Sequence, residues 1–121
     1  MSTTAQARQA LGRYGEQVAE RHLVAAGMIL LDRNWRAAEG ELDLVLRDGD
    51  VLVICEVKTR SGADFGTPHE AIDEAKLGRL RRLGEQWMQA HRVAAPELRI
   101  DLVAIIHPDR GAARVDHVRG L

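Results

Sequence analysis

Lys58 and Lys76 are the only lysines in this chain, which otherwise draws its fixed positive charge from arginine. Lys58 stands two residues after Glu56 in the apolar run Val51-Leu52-Val53-Ile54-Cys55-Glu56-Val57-Lys58, and upstream, across Asp48-Gly49, lies Gly40-Glu41-Leu42-Asp43-Leu44-Val45-Leu46. Two strand-like segments thus carry three acids and a lysine into what should be core, where an unpaired charge is costly. Acid and lysine together there suggest a divalent-metal site that cuts a phosphodiester. Such a reaction needs an activated water, shielding of the phosphate charge and stabilisation of the leaving oxygen, and one or two Mg²⁺ (or Mn²⁺) ions supply all three. These hard cations take oxygen ligands. Asp43 and Glu56 are the natural carboxylate pair, with the carbonyl of Val57 between them and Lys58. Lys58 is placed to orient or polarise the attacking water. Glu39, Glu41, Asp43 and Glu56 crowded near one hairpin would repel each other and raise carboxylate pKa values unless a cation sat among them. Lys58 acting as a plain salt-bridge partner would relieve the same conflict in part.

The elements that must position these groups follow from periodicity. Thr4 to Ala26 predicts an amphipathic helix, with Leu11, Tyr14, Val18, Ala19, His22 and Ala26 on one side at ~100° per residue, ended by Gly27. Glu16 falls at the border of that face, next to Leu23, where it could lean over a sheet; Glu20 points further out. Met28 to Trp35 reads as a strand, then residues 36–40 as a loop. Two strands follow, joined at Asp48-Gly49, a dipeptide suited to a two-residue hairpin turn. That register pairs Arg47 with Asp50, Val45 with Leu52, Asp43 with Ile54 and Glu41 with Glu56. Alternation then puts Glu41, Asp43, Glu56 and Lys58 on one face, with Asp43 the diagonal neighbour of Glu56.

Residues 60–66 form a Gly-containing loop at the mouth of the expected site. Thr67-Pro68-His69-Glu70 reads as a capping box opening a second helix. This helix runs to about His91 and buries Ile72, Ala75, Leu80, Leu83 and Trp87, with Lys76 directed into the same stripe. Pro96 breaks it; Leu98 to Ile106 is an apolar strand covered on both faces, and Ala113 to Val118 an edge strand. Arg60 at the site's edge, with Arg79 and Lys76 on the second helix, are the candidate nucleic-acid contacts; Arg33, Arg36, Arg81 and Arg82 are further phosphate candidates.

The bulk numbers narrow the choice of function. At 121 residues one domain, 1–121, is expected, able to bury its core without staples. The lone Cys55 reads as a small buried hydrophobe in a reducing compartment. No signal-like or membrane-spanning apolar stretch is visible, so the expected location is cytoplasmic, with no membrane partner. A net charge of −1 means that nucleic acid must be held by a local patch. Four aromatics, Tyr14, Trp35, Phe65 and Trp87, make a base-stacking platform or a sugar-binding glycosidase a poor fit. The five histidines lack zinc-ligand spacing and read as surface or cap residues.

At Gly15-Glu16-x-x-Ala19, Gly40-Glu41-Leu42-Asp43-Leu44-Val45, Glu56-Val57-Lys58-x-Arg60 and Arg99-Ile100-Asp101-Leu102-Val103-Ala104 the chain resembles the YraN family, over about residues 11–106. That family is similar to archaeal-type Holliday-junction resolvases and, more broadly, to PD-(D/E)xK nucleases. The resemblance implies an α/β, restriction-endonuclease-like fold, an αβββαβ core with a mixed central sheet flanked by helices. It also implies Glu16 as a helix-borne acid, Asp43 and Glu56 as metal ligands, and Lys58 as catalytic lysine. The expected function is a Mg²⁺-dependent endonuclease on structured or branched DNA, a homodimer presenting two sites to two strands. The alternatives are a non-catalytic nucleic-acid or protein-binding module that keeps the fold, and a structural partner of another enzyme.

Overall fold

The structure, a computed structural model, describes residues 4–61, 72–107 and 110–121. Its elements run α1 (Ala5–Ala25), β1 (Ile29–Ala37), β2 (Gly40–Asp48), β3 (Val51–Ser61), α2 (Glu74–His91), β4 (Glu97–His107) and β5 (Arg114–Val118). The five strands form one sheet in sequential order. Neighbours are antiparallel except β3 and β4, which are parallel. That exception follows from α2, because a parallel neighbour requires a crossover long enough to carry the chain back along the sheet. The result is an α/β fold with a mixed sheet.

Each helix covers one face of the sheet. Ala19 and Leu23 of α1 pack on Leu44, Leu46, Val53, Cys55, Val103 and Ile105. Leu80, Leu83 and Trp87 of α2 pack on Leu42, Val45, Leu52, Ile54 and Ile100. Both faces of β3 and β4 are thereby buried, which explains why their sequences are apolar with little alternation. No helix among the described residues is long and apolar enough to cross a membrane.

Several local expectations are corrected. The stripe of α1 that meets the sheet is Gly15, Ala19 and Leu23, whereas Tyr14, His22 and Ala26 are exposed. The reason is close approach: a Cβ at residue 15 would stand 1.9 Å from Thr59 Oγ1, so only glycine lets the helix lie this near β3. The five-residue loop at 36–40 is a tight turn instead, since Ala37 already pairs with Gly40. In the next hairpin Asp48 pairs with Val51, leaving Gly49 and Asp50 as the two turn residues, with Gly49 at φ 61. This is the II′ pattern, glycine at the first central position. It moves the register by two residues from the expected one: Val45 faces Ile54 and Arg47 faces Leu52. A shift of two keeps each side chain on its face.

The second helix starts at Glu74, where the Asp73 carboxylate accepts from the Lys76 backbone N–H at 2.8 Å, a stronger N-cap than the apolar residues before it. Ile72 and Asp73 are not helical, and Ala75 is exposed. The loop expected from residue 60 is corrected at its start, since Arg60 and Ser61 still pair with β4 as the end of β3; the rest of it and the proposed capping box at Thr67 to Glu70 lie outside the described residues. His117 is no surface residue either. Its side chain is 9% exposed and its Nε2 lies 2.9 Å from Asp101 Oδ2.

Candidate acid and lysine centre

Near the start of β2 the regular pleat fails, and the candidate site forms there. Leu42 packs in the α2 core and Leu44 in the α1 core, although residues two apart on a strand should share a face. The intervening residue is Asp43. Opposite it in the β1–β2 ladder, between the pairs Arg33 with Leu44 and Trp35 with Leu42, stands Asn34 at φ 52. Asparagine is among the few residues that tolerate this left-handed conformation. On the other side, the β2–β3 ladder ends at Leu44 with Cys55. Asp43 Oδ2 then accepts the Val57 backbone N–H at 2.8 Å, so the carboxylate takes a strand's hydrogen bond.

Beside it, Glu56 projects from β3 toward α2 and is 8% exposed. Both lysines of the chain converge on one of its oxygens: Lys58 Nζ is 3.3 Å and Lys76 Nζ 3.1 Å from Oε1. Neither lysine side chain is more than 28% exposed. Lys76 is therefore part of the acid centre rather than an arm held out to solvent. Glu16 enters from α1, where the Asn34 side-chain amide donates to its Oε2 at 3.0 Å.

The electrostatics of the cluster are unbalanced. Burial, and then the charge of Glu56, pushes the Asp43 carboxyl up to about 7, with Glu16 and Glu41 adding to the rise and the Val57 N–H opposing it. Burial and the charge of Glu41 also raise Glu16, with Glu56 adding a smaller rise against the lowering pull of Arg13. The two lysines move apart. Burial and the neighbouring Lys76 draw Lys58 down against the pull of Glu56. Lys76 rises, because its contacts with Lys58 and Glu56 outweigh its own burial. Lys58 is thus the ammonium that gives up a proton more readily.

The sequence-predicted residues fall into two groups. Glu16, Asp43, Glu56, Lys58 and Lys76 come together, and Glu41 contributes charge from the rim, where it pairs with Arg36 at 3.6 Å. Glu39 does not join them; it sits at the β1–β2 turn and pairs with Arg82. Arg33 is spent on Glu20, with contacts of 2.6 and 3.1 Å, and Arg81 donates to the carbonyl of Leu121. Arg60 and Arg79 are exposed. Arg60 donates weakly to the carbonyl of Thr59, and the Arg79 Nε lies near Gly40.

Two residues escaped sequence reasoning. Asn34 holds Glu16 and permits the kink at Asp43; its signal was an asparagine in the middle of a strand. Gly15 brings α1, and with it Glu16, within reach of the strands, but a glycine in a helix carries no apolar signal.

Among the described residues no three His, Cys, Asp or Glu side chains are grouped to hold an ion unaided. The site offers two adjacent carboxylates and backbone oxygens, an all-oxygen donor set suited to a hard cation that keeps part of its water shell. Burial first and then the neighbouring carboxylates push Asp43 up, and a cation beside it would offset both. A divalent cation fits both features.

A sequence profile described as "Uncharacterised protein family UPF0102" matches residues 15–105. Among similar proteins, a UPF0102 protein of Nocardioides sp. is 61% identical, covering 99% of this chain and 97% of its own length. A UPF0102 protein of Frankia alni is 55% identical over 94% of this chain and 95% of its own. Another from Streptomyces coelicolor is 56% identical over 95% and 90%. The matched span includes Glu16, Asn34, Asp43, Glu56, Lys58 and Lys76, so every residue of the acid and lysine centre lies within it.

Proposed function

This chain belongs to the UPF0102 (YraN) family, and from its acid and lysine centre we propose a metal-dependent nuclease that hydrolyses phosphodiester bonds in structured or branched DNA. The observation that carries the reading is the convergence of Asp43 and Glu56 with two ammoniums, Lys58 and Lys76, on Glu56 Oε1. Charge excess at Asp43 supports it too. The order helix, three strands, helix, strand, with β3 and β4 parallel, supports the finer description of a restriction-endonuclease-like core.

In this reading Asp43, Glu56 and the Val57 carbonyl hold Mg²⁺ or Mn²⁺. When bound, such an ion lowers the pKa of a water and shields the phosphate. The chain's own groups do the rest. Lys58, with its lowered pKa, orients the attacking water and exchanges a proton with it. Lys76 brings a second positive charge to Glu56 Oε1. Glu16, held by Asn34, faces the same space from α1. Arg60 and Arg79 meet the flanking phosphates.

Purified protein with Mg²⁺ or Mn²⁺ is expected to cut junction, flap or duplex DNA, and Asp43→Asn, Glu56→Gln or Lys58→Ala to reduce the rate by roughly 10²–10⁴-fold. Variants that cut as fast as the parent would remove these residues from the reaction.

One contact favours a second reading, a binding module that keeps the fold without catalysis. Glu56 Oε1 already has two ammonium partners, so its charge is met without a metal. Calorimetric titration with Mn²⁺ separates the two. The nuclease requires binding that Asp43→Asn weakens; the module predicts heat unaffected by that substitution.

A further inference from the structure

A polar cleft of about 410 Å³ opens between α1 and β1, lined by Arg13, Glu16, Gln17, Glu20, Arg21, Arg33, Asn34 and Leu44. Its volume lies within the ~300–1,000 Å³ usual for ligand sites, and charged residues line it both with their carbon stems and with their heads. Two of its residues, Glu16 and Asn34, also belong to the acid and lysine centre, so cleft and centre are continuous.

The arginines of the cleft are not equivalent. Arg33 is locked in a two-point contact with Glu20. Arg13 and Arg21 are exposed, and among the described residues neither stands within ion-pair distance of an acid. Arg13, Gln17 and Arg21 recur every fourth residue and so form one row along α1. Eight residues at about 1.5 Å each set the two guanidiniums' anchor points about 12 Å apart. That spacing suits successive groups along a backbone better than one small anion. The amide of Gln17 lies between them.

We propose that this cleft holds the phosphate backbone of the nucleic-acid strand beside the bond to be cut, with Arg13 and Arg21 on phosphates two steps apart and Gln17 donating to the one between them. The strand would then approach the acid centre along α1, past Glu16. A chain of net charge −1 needs such a local row, since its overall field draws no polyanion. The proposal rests on the nucleic-acid reading of the neighbouring centre but not on catalysis there.

The test is binding of a fluorescein-labelled single-stranded DNA oligonucleotide in EDTA, where no metal-dependent cutting occurs, by anisotropy over a series of salt concentrations. For Arg13→Ala/Arg21→Ala, affinity should fall roughly tenfold and the slope of log K against log salt should shrink by about 1.4, two phosphate contacts' worth. Arg13→Lys/Arg21→Lys should keep most of the slope, because a lysine ammonium still neutralises a phosphate. Thermal unfolding of each variant verifies that these exposed substitutions leave the fold intact. An alanine double variant with parental affinity and slope overturns the subsite and leaves cutting by Asp43 and Glu56 untouched. A parent that binds, loses the slope in the double variant and yet never cuts DNA with Mg²⁺ supports the subsite and removes the nuclease reading. A parent that binds no oligonucleotide overturns the subsite.

Discussion

Among the described residues two charged side chains are buried, Glu56 and Asp101, and their surroundings differ in kind. Asp101, on β4 beside Cys55 of β3, is wholly enclosed and fully supplied with donors. Arg99 grips both its oxygens at 2.8 and 3.0 Å, the Gly120 backbone N–H donates at 3.0 Å, and His117 lies at 2.9 Å. Burial alone would raise its pKa, but Arg99, His117 and the Gly120 N–H outweigh that and hold it below the usual value. Arg99 also reaches Asp48 at 3.1 Å, so this knot ties the β2–β3 turn, β4 and the C-terminal residues together. At the other centre both ammoniums go to Glu56, while its neighbour Asp43 has the Val57 N–H and is pushed up to about 7 by burial and the nearby acids. A fold that satisfies one buried acid so completely has the means to satisfy another. The contrast separates an acid that builds the fold from one kept short of charge, and the second pattern is common at functional sites.

The largest expected effect that bears on this contrast is Asp101→Ala. It leaves the Gly120 N–H without its acceptor and Arg99 with Asp48 alone, and should cost about 3–5 kcal/mol, read as a drop in the urea midpoint. A loss below 1 kcal/mol would mean that the knot is ornamental to stability. Gly15→Ala comes next, since its Cβ meets Thr59 Oγ1. Overpacking of about 1–3 kcal/mol is expected, while Gly12→Ala, with open space around it, should be neutral or mildly stabilising.

Asp43→Asn should move the other way. The raised pKa of Asp43 means that the folded chain binds a proton which the unfolded chain has released between about pH 4 and pH 7. Stability from this group is therefore lost as pH rises through that window, and the amide, which cannot ionise, avoids the loss. Asn at this position is expected to stabilise at both pH values, by less than half as much at pH 5 as at pH 8. Asp101 has the opposite sign: its lowered pKa contributes stability above the unfolded value, lost as pH falls below about 4. Denaturation midpoints of the parent, Asp43→Asn and Asp101→Asn across pH 3 to 8 would resolve the two. The smallest effect is that of metal. Mg²⁺ at ten times its Kd should add about 1.4 kcal/mol at pH 8, less at pH 5, and none in Asp43→Asn. Equal stabilisation of parent and variant would move the ion elsewhere.

Parts of this were legible in the residues because they depend on periodicity alone. The element order, the two helices, the hairpin between β2 and β3 and the shared face of Glu56 and Lys58 all follow from where apolar residues recur. The hairpin register was misread by two residues because Asp48-Gly49 and Gly49-Asp50 are both plausible turns, and only pairing across the sheet selects one. The α1 face was misplaced because Gly15 contributes nothing to an apolar stripe, though it decides how near the helix comes. Asp101 passed as one acid in an apolar strand, since its partners Arg99, His117 and Gly120 meet only when β5 and the last residues fold back.

Sequence by itself determined which groups this protein has to spend: two lysines, a few acids set in apolar strands, and the periodicity that brings them to the middle of a sheet. Tertiary structure decided what each is for. It set both ammoniums on one oxygen of Glu56, turned the chain at Asp43 through the left-handed Asn34 opposite, and drew α1 in over Gly15 so that Glu16 meets the strands. Those outcomes depend on distances between segments remote in sequence, and a buried charge is costly or useful according to what stands within a few ångströms of it.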